Sequence, residues 1–289
     1  MKILILGSKG QLGSEIKELA PLYKNIDFTF TDIEELDITN EASLKSFFGK
    51  NKFNCIVNCA AYTAVDKAET DKTQAVKLNV TAVKLLSEFA SSQKALFVHI
   101  STDYVFDGKN YKPYLETDLT NPKSIYGKTK LDGEVEVIFN AQNAIIIRTS
   151  WLYSSFGNNF VKTIIKNAKE KGTLNVVSDQ IGTPTYARDL AKSILDVVPS
   201  YKSSSKFEIF NYSNEGVASW YDFAKEITAL AGIKCDINPI ETKDYPFIVT
   251  RPPYSVLNKS KIKKTFGITI PYWKDSLNDC MLKLKEKGI

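Results

Sequence analysis

The sequence has few of the residues on which metal and histidine chemistry depend. Its 289 residues include one histidine and four cysteines. The cysteines do not show the paired CxxC spacing of a zinc site, so we predict buried free thiols and no metal. The histidine, His99, lies in the apolar run ALFVHI and is interpreted as a core residue rather than as a general base or ligand. The cysteines are Cys55, Cys59, Cys235 and Cys280.

Long apolar runs and a strong excess of one charge are also missing. The apolar stretch KILIL near the start is far shorter than the about 18 residues of a membrane span, so we expect a cytoplasmic protein with no membrane partner. Lys and Arg exceed Asp and Glu by only 38 to 33, which argues against nucleic-acid binding. With 43% hydrophobic and 25% charged residues, the composition is that of a globular protein with a sizeable core.

The first 150 residues alternate short apolar runs with longer amphipathic stretches. This alternation is typical of a parallel sheet with crossover helices, so we predict an α/β fold with a doubly wound parallel sheet. After residue 150 the alternation loosens, and no linker separates two domains. The predicted strands are 2–6, 27–32, 55–60, 95–101, 144–150, 174–177 and 207–213. The predicted helices are 11–22, 41–48, 71–91, 124–139, 157–172, 187–198, 219–231 and 273–286, with loops at 179–186 and 239–254.

A glycine triplet follows the first predicted strand and opens the first predicted helix. Gly7, Gly10 and Gly13 have the spacing GxxGxxG rather than the commoner GxGxxG. Glycines in this place allow a tight turn, close approach of the backbone to a pyrophosphate, and close packing of helix on strand. We therefore predict a Rossmann-type NAD(P)-binding domain over residues 1–150. Residues 151–289 would form a smaller, mainly substrate-binding lobe, with some segments returning to the Rossmann domain.

Acidic residues follow the second predicted strand. Asp32 stands where an acid commonly binds the adenosine ribose hydroxyls of NAD. Asp37 could accept from the adenine amino group while Ile38 packs on the ring; a helix cap or turn is the alternative for Asp37. Asp32 would repel a 2′-phosphate, whereas Lys9 in the glycine loop would attract one. We therefore predict NADPH or NADH as the cofactor.

Tyr126 and Lys130 lie four residues apart in YGKTK, on one face of a predicted helix. A phenol has a pKa of about 10, so it exchanges protons near neutral pH only when cations stabilise the phenolate. Lys130 supplies one cation, and a bound oxidised nicotinamide would supply a second. Ser101 and Thr102 end a strand upstream, where a hydroxyl could bond the reacting oxygen. The alternative is a lysine chain that merely covers an aromatic ring.

The glycine loop, the strand-end Ser/Thr and the Tyr-xxx-Lys pair resemble, in this order, those of the extended short-chain dehydrogenase/reductases. Within that superfamily the chain is similar to the dTDP-4-dehydrorhamnose reductase family. The similarity extends over NCAAYTAVDKAE, STDYVFDG, YGKTKLDGE, RTSWLY, GNNFVKT, DQIGTPT, SWYDFA and RPPYSVL, and so over nearly the whole chain. It implies NAD(P)H-dependent reduction of the C4 keto group of dTDP-4-dehydro-6-deoxy-L-mannose to dTDP-L-rhamnose, in dTDP-rhamnose biosynthesis for cell-wall polysaccharide.

The resemblance also implies roles for individual residues. Tyr126 would protonate the nascent alkoxide, Lys130 would bind the nicotinamide ribose, and Thr102 would bond the same oxygen as Tyr126. Thr102, Asp103 and Trp151 would contact the sugar; for Trp151 the alternative is core packing. The implied cofactor contacts are Gly7, Gly10, Gln11, Leu12, Gly13, Asp32, Asp37, Ile38, Ala61, Tyr62, Thr63, Ile100, Tyr126 and Lys130.

Two other functions stay open. An epimerase or dehydratase of the superfamily would use the same Tyr and Lys, but a dehydratase would also have an Asp-Glu pair after the Ser/Thr. Here the neighbours are Asp103 and Tyr104. A non-catalytic regulatory subunit would keep the fold and the cofactor site, although such proteins can lose the catalytic pair that stands here.

The predicted assembly is a monomer or a homodimer. For some members of the family, the resemblance implies magnesium-bridged dimers held by surface glutamates, and Glu15 matches one such position. Arg188 and Asp189 stand where another glutamate would be expected. We therefore predict neither that metal nor that dimer.

Overall fold

Six parallel strands form the main sheet of the computed structural model, which describes residues 1–202, 205–246 and 249–288. Their order is β10-β5-β4-β3-β1-β2, and every neighbouring pair is parallel. Because the order reverses between β1 and β3, the sheet is doubly wound, and the predicted Rossmann-type fold is confirmed. The strands are β1 (Lys2–Leu6), β2 (Asp27–Thr31), β3 (Cys55–Asn58), β4 (Leu96–Thr102), β5 (Ala144–Thr149) and β10 (Phe207–Asn211).

Helices cover both faces of this sheet. Ile3 and Ile5 of β1 pack in the same cluster as residues of the helices Gln11–Leu19 and Ala187–Val197. Leu4 and Leu6 pack with residues of the helices Glu41–Lys50 and Ala82–Ser92. Alternate side chains of a strand point to opposite faces, so an unbroken apolar run such as KILIL is buried on both sides. The helices are α1 (Gln11–Leu19), α2 (Glu41–Lys50), α3 (Val65–Ala68), α4 (Lys72–Val76), α5 (Ala82–Ser92), α6 (Ile125–Asn140), α7 (Phe160–Lys171), α8 (Ala187–Val197), α9 (Trp220–Ala231), α10 (Ser260–Phe266) and α11 (Trp273–Glu286).

The single helix predicted over 71–91 is in fact α4, a π-helical turn (Lys77–Thr81) and α5. The π turn carries Asn79, whose side chain is buried. Asn79 Oδ1 accepts from the Tyr62 backbone N–H at 2.8 Å, and Asn79 Nδ2 donates to the Tyr62 carbonyl at 3.1 Å. The widened turn thus fastens the loop after β3, which a uniform hydrophobic period did not predict.

The second half of the chain builds a smaller cluster around α7, α9 and α11. Three short sheets accompany it, and β8 and β9 replace the loop predicted over 179–186. Pro239 lies in β12, at the start of the segment predicted as a loop over 239–254; residues 247 and 248 of that segment lie outside the described chain. These strands are β6 (Leu152–Tyr153) with β9 (Thr185–Tyr186), β7 (Thr173–Val177) with β12 (Asp236–Ile240), and β8 (Ile181–Gly182) with β11 (Ala218–Ser219).

The second half contributes β10 to the main sheet, where it pairs with β5, and its helix α8 packs on α1. The predicted lobe boundary at residue 150 itself stays a prediction.

All four cysteines are free, as predicted, but only Cys55 and Cys280 are buried. Cys59 and Cys235 are partly exposed, so the prediction of burial was wrong for these two. Among the described residues, no helix is both long and apolar enough to cross a membrane.

Two glycines inside helices give a matched test of this packing. A Cβ on Gly133 of α6 would lie 2.3 Å from the Asn79 carbonyl oxygen, whereas a Cβ on Gly49 of α2 would meet nothing within 4 Å. Gly133→Ala should lower stability by about 1 to 3 kcal/mol through overpacking. Gly49→Ala should raise it by up to about 1 kcal/mol through helix propensity. Thermal and denaturant melts of both variants check this, and a Gly133→Ala protein as stable as Gly49→Ala would contradict the contact.

Candidate active site

A cleft of about 1030 Å³ opens at the carboxyl ends of the central strands. This is where doubly wound sheets bind ligands, at the point where the strand order reverses. All but one of the site residues predicted from the sequence line it. They are Gly7, Gly10, Gln11, Leu12, Asp32, Asp37, Ile38, Ala61, Tyr62, Thr63, Ile100, Thr102, Asp103, Tyr126, Lys130 and Trp151. The exception is Gly13, which packs behind the loop.

The glycine loop is shaped by close backbone contacts. Gly7 has φ +72°, and a Cβ there would lie 2.7 Å from the Ala60 backbone nitrogen. A Cβ on Gly13 would lie 2.3 Å from the Gly7 carbonyl oxygen, so this residue serves helix-to-strand packing. Gly10 is the N-cap of α1 and provides no side-chain cap. The first backbone N–H groups of α1 therefore begin at the cleft, an arrangement that fits the pyrophosphate of a dinucleotide.

The Asp32 carboxylate is held beside the glycine loop by two backbone hydrogen bonds. Its Oδ2 accepts from the Lys9 backbone N–H at 2.7 Å, and its Oδ1 accepts from the Ile33 N–H at 2.9 Å. The Lys9 ammonium, which we expected to attract a 2′-phosphate, lies 2.8 Å from the Glu34 carboxylate. Both charges of Lys9 and Glu34 are exposed, so this ion pair is weak and can open.

Asp37 takes part in a turn, as the alternative interpretation predicted. Its Oδ1 accepts from the Thr39 N–H at 2.9 Å and from the Thr39 hydroxyl at 2.6 Å, and the hydroxyl bond lowers the pKa of Asp37. Asp37 and Ile38 also line the cleft. A carboxylate has two oxygens, so the turn and a contact with adenine are compatible.

The helix that carries Tyr126 starts at a capped end. Ser124 is the N-cap of α6, and its hydroxyl accepts from the Gly127 N–H at 3.0 Å. A Cβ on Gly127 would lie 2.3 Å from the Tyr104 carbonyl oxygen, so glycine lets α6 approach the turn that follows β4. This approach brings Tyr126 within hydrogen-bonding reach of Thr102.

Burial controls the proton affinity of the central pair. Burial raises the pKa of Tyr126 to about 12, and the hydrogen bond with Thr102 opposes this by lowering it. Burial lowers the pKa of Lys130 to about 8, against the charge of Glu134. Lys130 Nζ donates to the Ile100 carbonyl at 2.6 Å. The lowering of the Tyr126 pKa by Lys130 and a bound oxidised nicotinamide stays a prediction.

Asp103 lies beside Thr102, whose hydroxyl donates to Asp103 Oδ1 at 3.1 Å. Burial raises the pKa of Asp103 to about 6, opposed first by a hydrogen bond from Ser255. Tyr104 follows Asp103, and its ring packs edge-on against Tyr126 with the centroids 5.5 Å apart. An aromatic ring thus occupies the position in which a dehydratase would have its second carboxylate.

Trp151 is a strained residue with a covered ring. Its φ of 47° is in the left-handed region, and its indole stacks on that of Trp220 at 3.5 Å with an interplanar angle of 8°. A Cβ on Gly182 would lie 2.6 Å from the same indole. Trp220 lines the cleft too, although its motif SWYDFA gave it no role in the sequence. A sugar can reach the Trp220-facing side of Trp151 only if Trp220 moves.

Arg188 occupies the position at which a glutamate was expected. Its Nη1 lies 3.3 Å from Glu15 Oε2 and 2.7 Å from Glu18 Oε1, and Glu15 is fully buried. One guanidinium therefore pairs with both carboxylates within the chain, and the Lys283 ammonium supplies a second positive charge to Glu18. Within the ranges that the structure describes, His, Cys, Asp and Glu form no group of three or more that could hold a metal ion.

The chain matches known proteins over nearly its full length. The family model of the RmlD substrate binding domain matches residues 1–286. A dTDP-4-dehydrorhamnose reductase of Aggregatibacter actinomycetemcomitans is 39% identical over 96% of this chain and 97% of that protein.

Two solved structures are similarly close. The crystal structure of a dTDP-4-dehydrorhamnose reductase from Clostridium acetobutylicum has a TM-score of 0.93 and 45% identity, covering 99% of this chain and 100% of that one. That of the Bacillus anthracis enzyme in complex with NADP has a TM-score of 0.92 and 35% identity, covering 98% and 99%. The chain therefore belongs to the RmlD substrate binding domain family, the family of the dTDP-4-dehydrorhamnose reductases.

Proposed function

We propose that this protein is an NAD(P)H-dependent oxidoreductase that reduces the C4 keto group of dTDP-4-dehydro-6-deoxy-L-mannose to give dTDP-L-rhamnose. The observation that carries the proposal is the placement of Thr102, Tyr126 and Lys130 in one cleft with the glycine loop. Membership of the reductase family, with an NADP complex among its solved structures, supports both the reaction and the cofactor.

The cofactor residues divide by position in the cleft. Gly7, Gly10 and the start of α1 would hold the pyrophosphate, and Gly13 would keep that helix close to the strand. Asp32, Asp37 and Ile38 would hold the adenosine end. The proposed contacts with the rest of the dinucleotide are Gln11, Leu12, Ala61, Tyr62, Thr63, Ile100, Tyr126 and Lys130.

The protein's own groups handle the proton and the developing charge. A bound reduced nicotinamide supplies the hydride. The Tyr126 hydroxyl donates its proton to the C4 oxygen, and the Thr102 hydroxyl bonds that same oxygen as negative charge develops. A pKa of about 12 keeps Tyr126 protonated at neutral pH, which is the form that a proton donor needs. Asp103 and Trp151 would contact the sugar.

The surroundings of Thr102 favour reduction over dehydration. Dehydration in this superfamily moves protons at C5 and C6 and needs a second carboxylate, whereas the Tyr104 ring stands there. A cytoplasmic location, a monomeric or homodimeric state and a lobe boundary at residue 150 remain parts of the proposal.

The direct assay mixes the purified protein with the 4-keto sugar nucleotide and either NADPH or NADH. Absorbance of the reduced nicotinamide should fall in step with the formation of a 4-hydroxy sugar nucleotide. Omission of the sugar nucleotide is the control for slow cofactor oxidation. A stable absorbance with both cofactors, from folded protein, would contradict the proposal.

Replacing the proton donor separates chemistry from binding. Tyr126→Phe removes the phenol but keeps the ring that packs on Tyr104, so kcat should fall about 10² to 10⁴-fold. The affinity for NADH, measured by fluorescence titration, should stay near that of the parent protein. Near-normal turnover by this variant would rule Tyr126 out as the donor.

The pKa of Lys130 predicts an alkaline limit. Because its ammonium form predominates only below a pKa of about 8, the charge that binds the cofactor is lost as the pH rises through that value. Tyr126 stays protonated over this range. The kcat/KM for NADH should therefore fall about tenfold per pH unit above about pH 8. Lys130→Arg, if active, should lose this limb, and an unchanged parent profile up to about pH 10 would refute the assignment.

Trp151→Ala tests sugar contact against packing. Loss of the stack on Trp220 should cost about 0.5 to 1.5 kcal/mol of stability, and loss of the sugar contact should raise KM for the sugar nucleotide. NADH affinity should not change. If Trp151 serves the core alone, stability should instead fall by about 3 to 5 kcal/mol with an unchanged KM. Melts and steady-state kinetics on one preparation distinguish these results.

A further inference from the structure

The only histidine of the sequence lies next to the buried lysine of the cleft. His99 is on β4, is fully buried, and stacks on Phe97 with the ring centroids 6.1 Å apart. Its Nε2 lies 3.4 Å from Lys130 Nζ, and its Nδ1 lies 3.3 Å from Asn58 Nδ2. Asn58 Oδ1 accepts from the Ala60 N–H at 3.1 Å, so the amide nitrogen of Asn58 is the atom that faces the imidazole.

Lys130 needs acceptors because its side chain is almost completely buried, at 2% exposure. The nearby carboxylate of Glu134 is already used: Oε1 accepts from Arg148 Nε at 3.0 Å, and Oε2 accepts from Arg148 Nη2 at 2.7 Å. An ammonium has three N–H donors. The Ile100 carbonyl takes one of them, and His99 Nε2 is the next acceptor within reach.

We propose that His99 is a positioning residue for Lys130: its Nε2 accepts from the ammonium and, together with the Ile100 carbonyl, turns the remaining N–H toward the cleft. The proposal deepens the proposed function, because it gives Lys130 the direction needed to bind a cofactor hydroxyl. His99 itself contacts neither the cofactor nor the sugar in this account.

The contact requires one particular tautomer. A neutral imidazole accepts at one nitrogen only, and His99 lies between two donors, Lys130 and Asn58. The bond from a charged donor is the stronger one, so Nε2 accepts and Nδ1 carries the proton. Burial, and then the charge of Lys130, hold the pKa of His99 well below its usual range, which keeps the ring neutral. His99 Nδ1–H and Asn58 Nδ2 are then two facing donors with no hydrogen bond between them, and their repulsion is the cost of the bond with Lys130.

The first experiment reads this tautomer by NMR on protein labelled with ¹⁵N-histidine. A single imidazole makes the assignment unambiguous, and neither substrate nor activity is needed. The parent protein at neutral pH should show the Nδ1–H tautomer. Lys130→Met leaves Asn58 as the donor, so that variant should show the Nε2–H tautomer. An Nε2–H tautomer in the parent protein, or the same tautomer in both proteins, would overturn the proposal.

The second experiment separates hydrogen bonding from packing. His99→Phe keeps a ring against Phe97 but offers no acceptor, whereas His99→Gln offers an amide oxygen toward Lys130. For His99→Phe, kcat should fall about 10- to 100-fold, the loss expected for one hydrogen bond to a charged group, and the alkaline limb should move. His99→Gln should recover most of the rate at a similar melting temperature. Equal losses in both variants, or no loss in His99→Phe, would contradict the positioning role.

The experiments distinguish a failure of the positioning role of His99 from a failure of the proposed function. If the parent protein does not reduce the 4-keto sugar, the tautomer still shows whether His99 accepts from Lys130. If the protein does reduce the sugar but the tautomer ignores Lys130, the reaction stands and the positioning role of His99 falls.

Discussion

The burial of one ammonium group organises the cleft. Lys130 lies beneath the surface on α6, where an unpaired charge would be strongly destabilising. The carboxyl end of β4 supplies the compensation, through the Ile100 carbonyl and the His99 ring. Because β4 also ends in Thr102, the strand that fixes the lysine also carries the hydroxyl that faces Tyr126. The site therefore depends on a fixed position of α6 relative to β4.

Close backbone contacts maintain the position of α6 relative to β4. Gly127 lets α6 touch the turn after β4, and Gly133 lets the same helix touch the π turn that carries Asn79. Asn79 in turn holds both backbone groups of Tyr62, in the loop after β3 that lines the cleft. The positions of that loop and of Tyr126 are thus linked through one helix. A side chain at either glycine would disturb both.

Local pattern made the fold and much of the candidate site predictable. A buried parallel strand is a short apolar run, and a dinucleotide-binding loop needs glycines at the end of a strand. Tyr126 and Lys130 lie four residues apart on one helix face. Each of these features depends only on residues close together in the sequence. Contacts between distant elements were not predictable. The sequence correctly placed His99 in the core but could not show that Lys130 lies against it, nor that Trp220 stacks on Trp151. The π turn at Asn79 was not predicted for the same reason, because only the tertiary structure brings Asn79 to its partner Tyr62.

The central claim is hydride transfer to C4 of the sugar, and isotope transfer tests it most directly. The parent protein would be given the 4-keto sugar nucleotide with NADH deuterated at C4 of the nicotinamide, in separate reactions for the two faces. Proton NMR and mass spectrometry of the product should place one deuterium at C4 of the sugar with one of the two cofactors, and none with the other. A product without deuterium at C4, or one altered at C3, C5 or C6 instead, would contradict the account.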